Sequence, residues 1–255
     1  MFLPILRGRY WFFTAYVVVM FLSPVLNLVI RSLSKGKFHL LLAVLFLLFG
    51  VIPVGSLGYD VMRISAGHHF SWMISLYVIG GYLRRFACTN TINVKFWMMG
   101  YWGFALIHLL YKYAVMAVGL TGFADLLLPY PSPLVVGESI CLFLFFRAVG
   151  MKIAADGISG KLIRFAAPGV YSAYVIHLHP KVYWNPDIIA RFRVWDDWNV
   201  LAVCAAILCT AGALFAVCVC LDAARQWLFR RLGIDRAIEK DSNRTEHKVR
   251  TLLGD

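Results

Sequence analysis

Apolar residues in this chain gather in long runs, rather than in the alternation of a strand or the stripe of a surface helix. Seven runs stand out, near residues 10–30, 38–54, 69–83, 96–118, 133–146, 165–177 and 200–221. A helix that crosses a bilayer needs about 20 mostly apolar residues, so three of these runs are short and need their flanks to reach water. Inside hydrocarbon every backbone group must be paired within the segment, which makes each run a helix. Gly and Pro punctuate the connections, as in "PVGSLG" and "LPYPSP". The pattern predicts an all-α polytopic membrane bundle of about seven transmembrane helices over residues 1–221, followed by a charged cytoplasmic tail over 222–255.

Composition agrees with that reading. The chain is 61% hydrophobic and 15% charged, with a mean hydropathy of +0.73. A soluble domain carries about 45–50% apolar and about 25% charged residues. No internal repeat or low-complexity segment stands out. The opening "MFLPILRGRYWFF" places its arginines after the first apolar residues, unlike a cleavable signal.

The net charge of +12 is read as a topology signal rather than as a nucleic-acid surface, because Lys and Arg concentrate in cytoplasmic loops. Arg31, Lys35 and Lys37 follow the first run, Arg84, Arg85 and Lys95 the third, and Arg147, Lys152, Lys161 and Arg164 the fifth. The alternate connections are poorer in basic residues or balance them with acids, as Lys181, Arg191 and Arg193 are balanced by Asp187, Asp196 and Asp197. Seven spans with this bias place the C-terminus in the cytoplasm and the start of the chain outside.

That orientation sorts the polar residues into two faces. Arg7, Arg9, Trp11, His68, His69, His177 and His179 fall on the outer face. Imidazole moves protons near neutral pH, guanidinium forks onto anionic oxygens, and indole stacks on sugar rings. Arg9, Trp11, His68, His69, His177 and His179 are the candidates for an acceptor side. Arg31, Lys35, Arg84 and Arg85 are the candidates for a donor side, where they would meet phosphate oxygens or serve topology alone. Lys112 and Glu138 fall at matching depths of successive runs and are expected to pair inside the membrane, with His108 one helical turn below the lysine. The six cysteines, four of them in the last run, lack zinc-site spacing and read as apolar filler; no metal is expected.

Three stretches carry a resemblance: "GRYWFFTAYVVVMFLSPVLNLVI", "FSWMISLYVIGGYLRRF" and "GVYSAYVIHLHP". In this order they resemble the membrane-bound acyltransferase family 3, closest to bacterial enzymes that O-acylate surface or exported polysaccharides. The resemblance covers most of residues 8–179. It implies a bacterial inner-membrane enzyme that moves an acyl group, acetyl above all, from a coenzyme A thioester to a hydroxyl of a polysaccharide or lipid-linked sugar. No cofactor is bound in such a reaction; acetyl-CoA or another acyl-CoA is the donor substrate. Family members have about ten spans, so the resemblance implies that the first three are missing here. The family's catalytic base, a histidine separated from an arginine by ten intervening residues on its first span, would be missing with them, leaving the base of this chain unknown. Arg236 and His247 have that spacing but lie in the charged tail, which reads as coincidence, and Tyr16 stands where the family carries an acidic residue. The alternatives are a transporter, a non-catalytic scaffold of a polysaccharide-export assembly, or an inactive remnant. The oligomeric state, acceptor sugar and acyl group are not readable from the residues.

Overall fold

The computed structural model describes residues 10–87, 93–179 and 198–234. It is all-helical, 79% helix, with no strand among the described residues. The helices are α1 (Trp11–Ser32), α2 (Lys35–Gly55), α3 (Phe70–Tyr82), α4 (Val94–Ala117), α5 (Pro133–Gly150), α6 (Ile158–Ala166), α7 (Gly169–His177) and α8 (Val200–Arg231). Four of them, α1, α2, α5 and α8, are long and apolar enough to cross a membrane by length and composition. That is the character of a membrane protein, with fewer qualifying helices than the seven runs predict.

Each shortfall has a local cause. Helix α4 has 24 residues, but tyrosines, tryptophans, two lysines and His108 dilute its apolar run. Helix α3 has 13 residues and gains length only from a π-helical turn at Leu83–Ala87. The run at 165–177 breaks at Ala167 and Pro168, because proline brings no N–H to an incoming helix. The remaining helix α7 has 9 residues, or about 14 Å at 1.5 Å per residue.

The chain forms two compact units, Met1–Ile153 and Ala154–Asp255. In the first, α1 and α2 both pack on α3, and α4 packs along α5. Phe38 is fully buried in a core with Ile30 and Val78, and Tyr82 and Phe86 close around it. Gly81 lets α1 approach α3, since an added Cβ would lie 2.7 Å from Ile30 Cδ1. Gly137 does the same between α5 and α4, where a Cβ would lie 2.7 Å from the Phe104 ring. A π-helical turn at Leu47–Val51 in α2 ends with only Ile52 between it and Pro53, whose ring cannot sit in an unbroken α-helical ladder without displacing the preceding turn.

In the second unit α7 packs on α8. Gly169 sits against Val219, at a spacing where a Cβ would lie 2.7 Å from Val219 Cγ2 and 3.1 Å from its Cα. Close approach sets up a polar clasp one turn on. Asp222 accepts hydrogen bonds from Ser172 Oγ at 2.7 Å, Arg225 Nε at 2.8 Å and Gln226 Nε2 at 2.7 Å. Asp222 is 4% exposed. The last helix therefore runs through Arg231, and the first residue assigned to a tail, Asp222, is a buried part of the α7–α8 contact. Replacing Asp222 by alanine removes the shared acceptor of three donors and is expected to cost about 2–4 kcal/mol. Ser172→Ala removes a single bond and is expected to cost about 1 kcal/mol. Thermal unfolding of the purified chain checks both, and equal effects would contradict the shared-acceptor role.

Candidate functional site

The connection between α2 and α3 is folded around one carboxylate. Asp60 accepts the backbone N–H groups of Ile64 at 2.8 Å and Ser65 at 2.7 Å. Within this connection Leu57, Arg63, Ser65 and Ala66 take left-handed φ values of 56°, 49°, 48° and 55°. Non-glycine residues enter that region at a cost of about 1–2 kcal/mol each, and such strain clusters at functional sites. Gly67 follows at φ 96° and crosses tightly over the segment before α5: an added Cβ would lie 2.8 Å from Tyr130 Cβ and 2.9 Å from Pro131 Cδ.

This crossing delivers His68 to two aromatic rings. Its imidazole centroid lies 4.5 Å from that of Trp11 and 5.2 Å from that of Tyr130, and those two rings stack at 6.1 Å. His68 Nδ1 lies 2.7 Å from the Ser65 carbonyl oxygen. A carbonyl only accepts, so in the neutral ring Nδ1 carries the proton and Nε2 is the acceptor. His69 is arranged the other way. Its Nδ1 accepts the Ser71 backbone N–H at 3.4 Å and lies 2.9 Å from Ser71 Oγ, so it is the N-cap of α3 and its proton is on Nε2. Adjacent histidines thus hold opposite tautomers.

A cavity of about 560 Å³ opens between α1, α3 and α5, with Trp11, Gly67 and Tyr130 in its lining. Its wall is otherwise apolar, with Trp72, Leu76, Val136 and Phe143 contributing, and the Ser139 hydroxyl as a further polar group. His68 packs on two of the lining aromatics.

The basic residues sit at the other end of the same helices. Arg85, held at the end of α3 by the π-helical turn, donates through Nη1 to the carbonyls of Ile30 at 2.5 Å and Leu33 at 2.7 Å. It caps the C-terminal end of α1, where carbonyls lack helical partners. Arg31, Lys35 and Arg84 are exposed. Helices α1 and α3 run parallel, with Trp11 and His68 at their starts and the basic residues at their ends. The 22 residues of α1 separate the two by about 33 Å.

One sequence expectation is placed differently. Lys112 does not pair with Glu138. Its Nζ lies 2.9 Å from Asp125 Oδ1, and the two side chains are 47% and 68% exposed. Glu138 Oε1 instead lies 3.7 Å from His108 Nδ1. Lys112 is near the end of α4, and its four-carbon stem carries the ammonium into the connection beyond. Glu138 lies further along the bundle, level with the residue one turn earlier on the same face of α4. His177 belongs to the second unit, where its Nδ1 bonds the Ala173 carbonyl oxygen at 2.8 Å; His179 belongs to that unit too. Arg9 lies outside the described residues, as do Arg7, Cys88, Arg236 and His247. No group of three metal-ligating side chains occurs among the described residues.

Tyr130, Asp60 and Gly67 are site residues that the sequence reading missed. The prolines on either side of Tyr130 mark a rigid segment able to hold a ring in place. No family model, no curated protein and no solved structure matches this chain.

Proposed function

We propose that this chain is an integral-membrane O-acyltransferase of a bacterial inner membrane, with its C-terminus in the cytoplasm. It moves an acetyl group from a coenzyme A thioester to a hydroxyl of a cell-surface or exported polysaccharide. The observation that carries the reading is His68: an imidazole with Nδ1 held by a carbonyl and Nε2 left as acceptor, packed on the aromatic rim of an apolar cavity. Trp11 and Tyr130 offer faces on which a sugar ring stacks. Nε2 takes the proton of the sugar hydroxyl as its oxygen attacks the thioester carbon. The C–O bond forms, the C–S bond breaks, and the proton passes from the imidazolium to the departing thiolate. Arg31, Lys35 and Arg84 lie exposed at the opposite end, with the charge to meet the phosphates of a cytoplasmic donor. The cavity along α3 gives the acetyl group and its pantetheine arm a route between the two ends.

The test is incorporation of labelled acetyl groups into surface glycan by cells that make this chain, against cells that make none. Label above the control is expected. Equal label in both cells, with the protein present in the membrane fraction, would refute the assignment.

A further inference from the structure

Helix α6 divides apolar from basic residues more sharply than the other described helices do. Its nine residues read "ISGKLIRFA". At about 100° per residue, Ile158, Leu162 and Phe165 share one face. Gly160 lies on the opposite face and is buried. It sits so close to the preceding segment that an added Cβ would run into the Ala154 and Ala155 carbonyls. Arg164 turns to the same side, where its Nη2 donates to the Ala155 carbonyl at 2.5 Å and lies 3.8 Å from Asp156 Oδ1. The helix is held to its own unit by that side, and the apolar ridge faces outward. Ile158 is 88% exposed, Leu162 63% and Phe165 56%.

Three observations identify what meets the ridge. The first is where α6 lies. It packs on α7, and Gly169 at the start of α7 packs on Val219 of α8. Up to that point α8 is an apolar run fit to cross a membrane, and beyond it come Arg225, Arg230 and Arg231. Such charges are costly in hydrocarbon, so this stretch of α8 marks the lipid boundary. Ala166 ends α6 three residues before Gly169, which sets α6 beside that boundary.

The second observation is length. Nine residues reach about 14 Å, half or less of a hydrocarbon layer about 30 Å deep, so α6 does not cross. The third is charge. Arg164 offsets Asp156. Lys161 is exposed and has no partner among the described residues. It stands about 60° round the axis from Ile158, at the edge of the ridge. From there a lysine stem lies along lipid while its ammonium reaches a headgroup. A short helix with an apolar face and a basic flank lies in the plane of a membrane surface, and its cation favours anionic lipid.

We propose that α6 is an interfacial helix, with Ile158, Leu162 and Phe165 seated at the acyl–glycerol boundary of one leaflet and Lys161 on the phosphate of an anionic phospholipid. The assignment needs a membrane protein but no acyltransferase, so failure of the acetyl-transfer test leaves it standing.

The experiment reconstitutes the full chain into vesicles of equal phosphatidylcholine and phosphatidylglycerol. A trace of one or the other lipid carries a diazirine, either near the glycerol or at the acyl end. After irradiation the labelled residues are mapped by mass spectrometry, with the apolar run of α8 as the internal reference for lipid contact. The glycerol-proximal probe is expected to label Ile158, Leu162 and Phe165 more than the acyl-end probe does. At α6 the phosphatidylglycerol probe should exceed the phosphatidylcholine probe about fivefold relative to α8, the weight of one lysine near an anionic surface. Lys161→Gln should bring that ratio down to the α8 value, and Lys161→Arg should keep it. Both variants should melt with the parent chain.

An unlabelled α6 beside a labelled α8 overturns the proposal, and cross-links between copies through α6 would then give the ridge to self-association. Stronger label from the acyl-end probe would make α6 an element buried in hydrocarbon, which also overturns it. Equal label from the two headgroups, or a ratio unmoved by Lys161→Gln, overturns the assignment to anionic lipid.

Discussion

Cells carrying His68→Gln are expected to acetylate surface glycan about 10²–10⁴-fold more slowly than cells carrying the parent chain, the range that a positioned general base contributes. Glutamine keeps a polar side chain of similar reach and can still donate to the Ser65 carbonyl. It has no basic nitrogen to take the hydroxyl proton in the proposed acyl transfer. The neighbouring residue supplies the contrast. His69 Nδ1 is engaged as a helix cap, with the Ser71 N–H and hydroxyl as its partners. His69→Asn retains a capping oxygen and is expected to leave the rate within a few-fold of the parent. The comparison is made on cells with matched amounts of protein in the membrane fraction. Equal losses at both positions would mean that the two tautomers do not divide the roles as assigned. Loss at His69 alone would move the base to the neighbouring ring.

Gly67→Ala is expected to destabilise the first unit by about 3–5 kcal/mol, the range that marks a strained or overpacked position. Two effects add. At φ 96° an alanine must hold a backbone conformation that L side chains avoid, at about 1–2 kcal/mol. The new methyl would also lie 2.8 Å from Tyr130 Cβ and 2.9 Å from Pro131 Cδ. Neither is the end of a flexible side chain, so the segment itself must move. Gly119 separates the two effects. It has φ 79° but nothing within 4 Å of an added Cβ, so Gly119→Ala is expected to cost only the conformational part. Thermal unfolding in detergent checks the pair. The Gly67 variant should also lose the contacts that His68 makes with Tyr130, and acetyl transfer with them. Equal destabilisation at the two glycines would show that the crossing is looser than these distances require.

Apolar patterning located the long helices, since length and hydropathy are local properties of the chain, but it did not mark α6, whose nine residues carry Lys161 and Arg164 and mostly precede the run at 165–177. Residues 10–30 and 38–54 became α1 and α2 with small shifts at their ends. Features that depend on contacts between distant residues were less legible. His68 stood out because a histidine at the start of an apolar run asks for a reason, but Tyr130 lies far along the chain in a turn that read only as a connection. Lys112 and Glu138 were matched by depth along straight helices, which ignores the reach of a lysine stem. Asp60 shows its use only when the backbone folds back on it, and Asp222 only when Gly169 brings α7 against α8. The acceptor-face grouping of His177 with His68 came from orientation, a property of membrane and chain together.

Helix α8 has 32 residues, or about 48 Å at 1.5 Å per residue, whereas bilayer hydrocarbon is about 30 Å deep. With Val200 at one boundary, Asp222 falls about 33 Å along the axis, close to the opposite one. Arg225, Trp227, Arg230 and Arg231 then occupy the headgroup layer, where the Arg231 guanidinium lies 4.7 Å from the Trp227 ring centre. The carboxylate clasp is thus a depth mark. Longer acyl chains would pull it into oil and shorter ones would lift it clear, which ties the footing of this unit to the thickness of its host lipid.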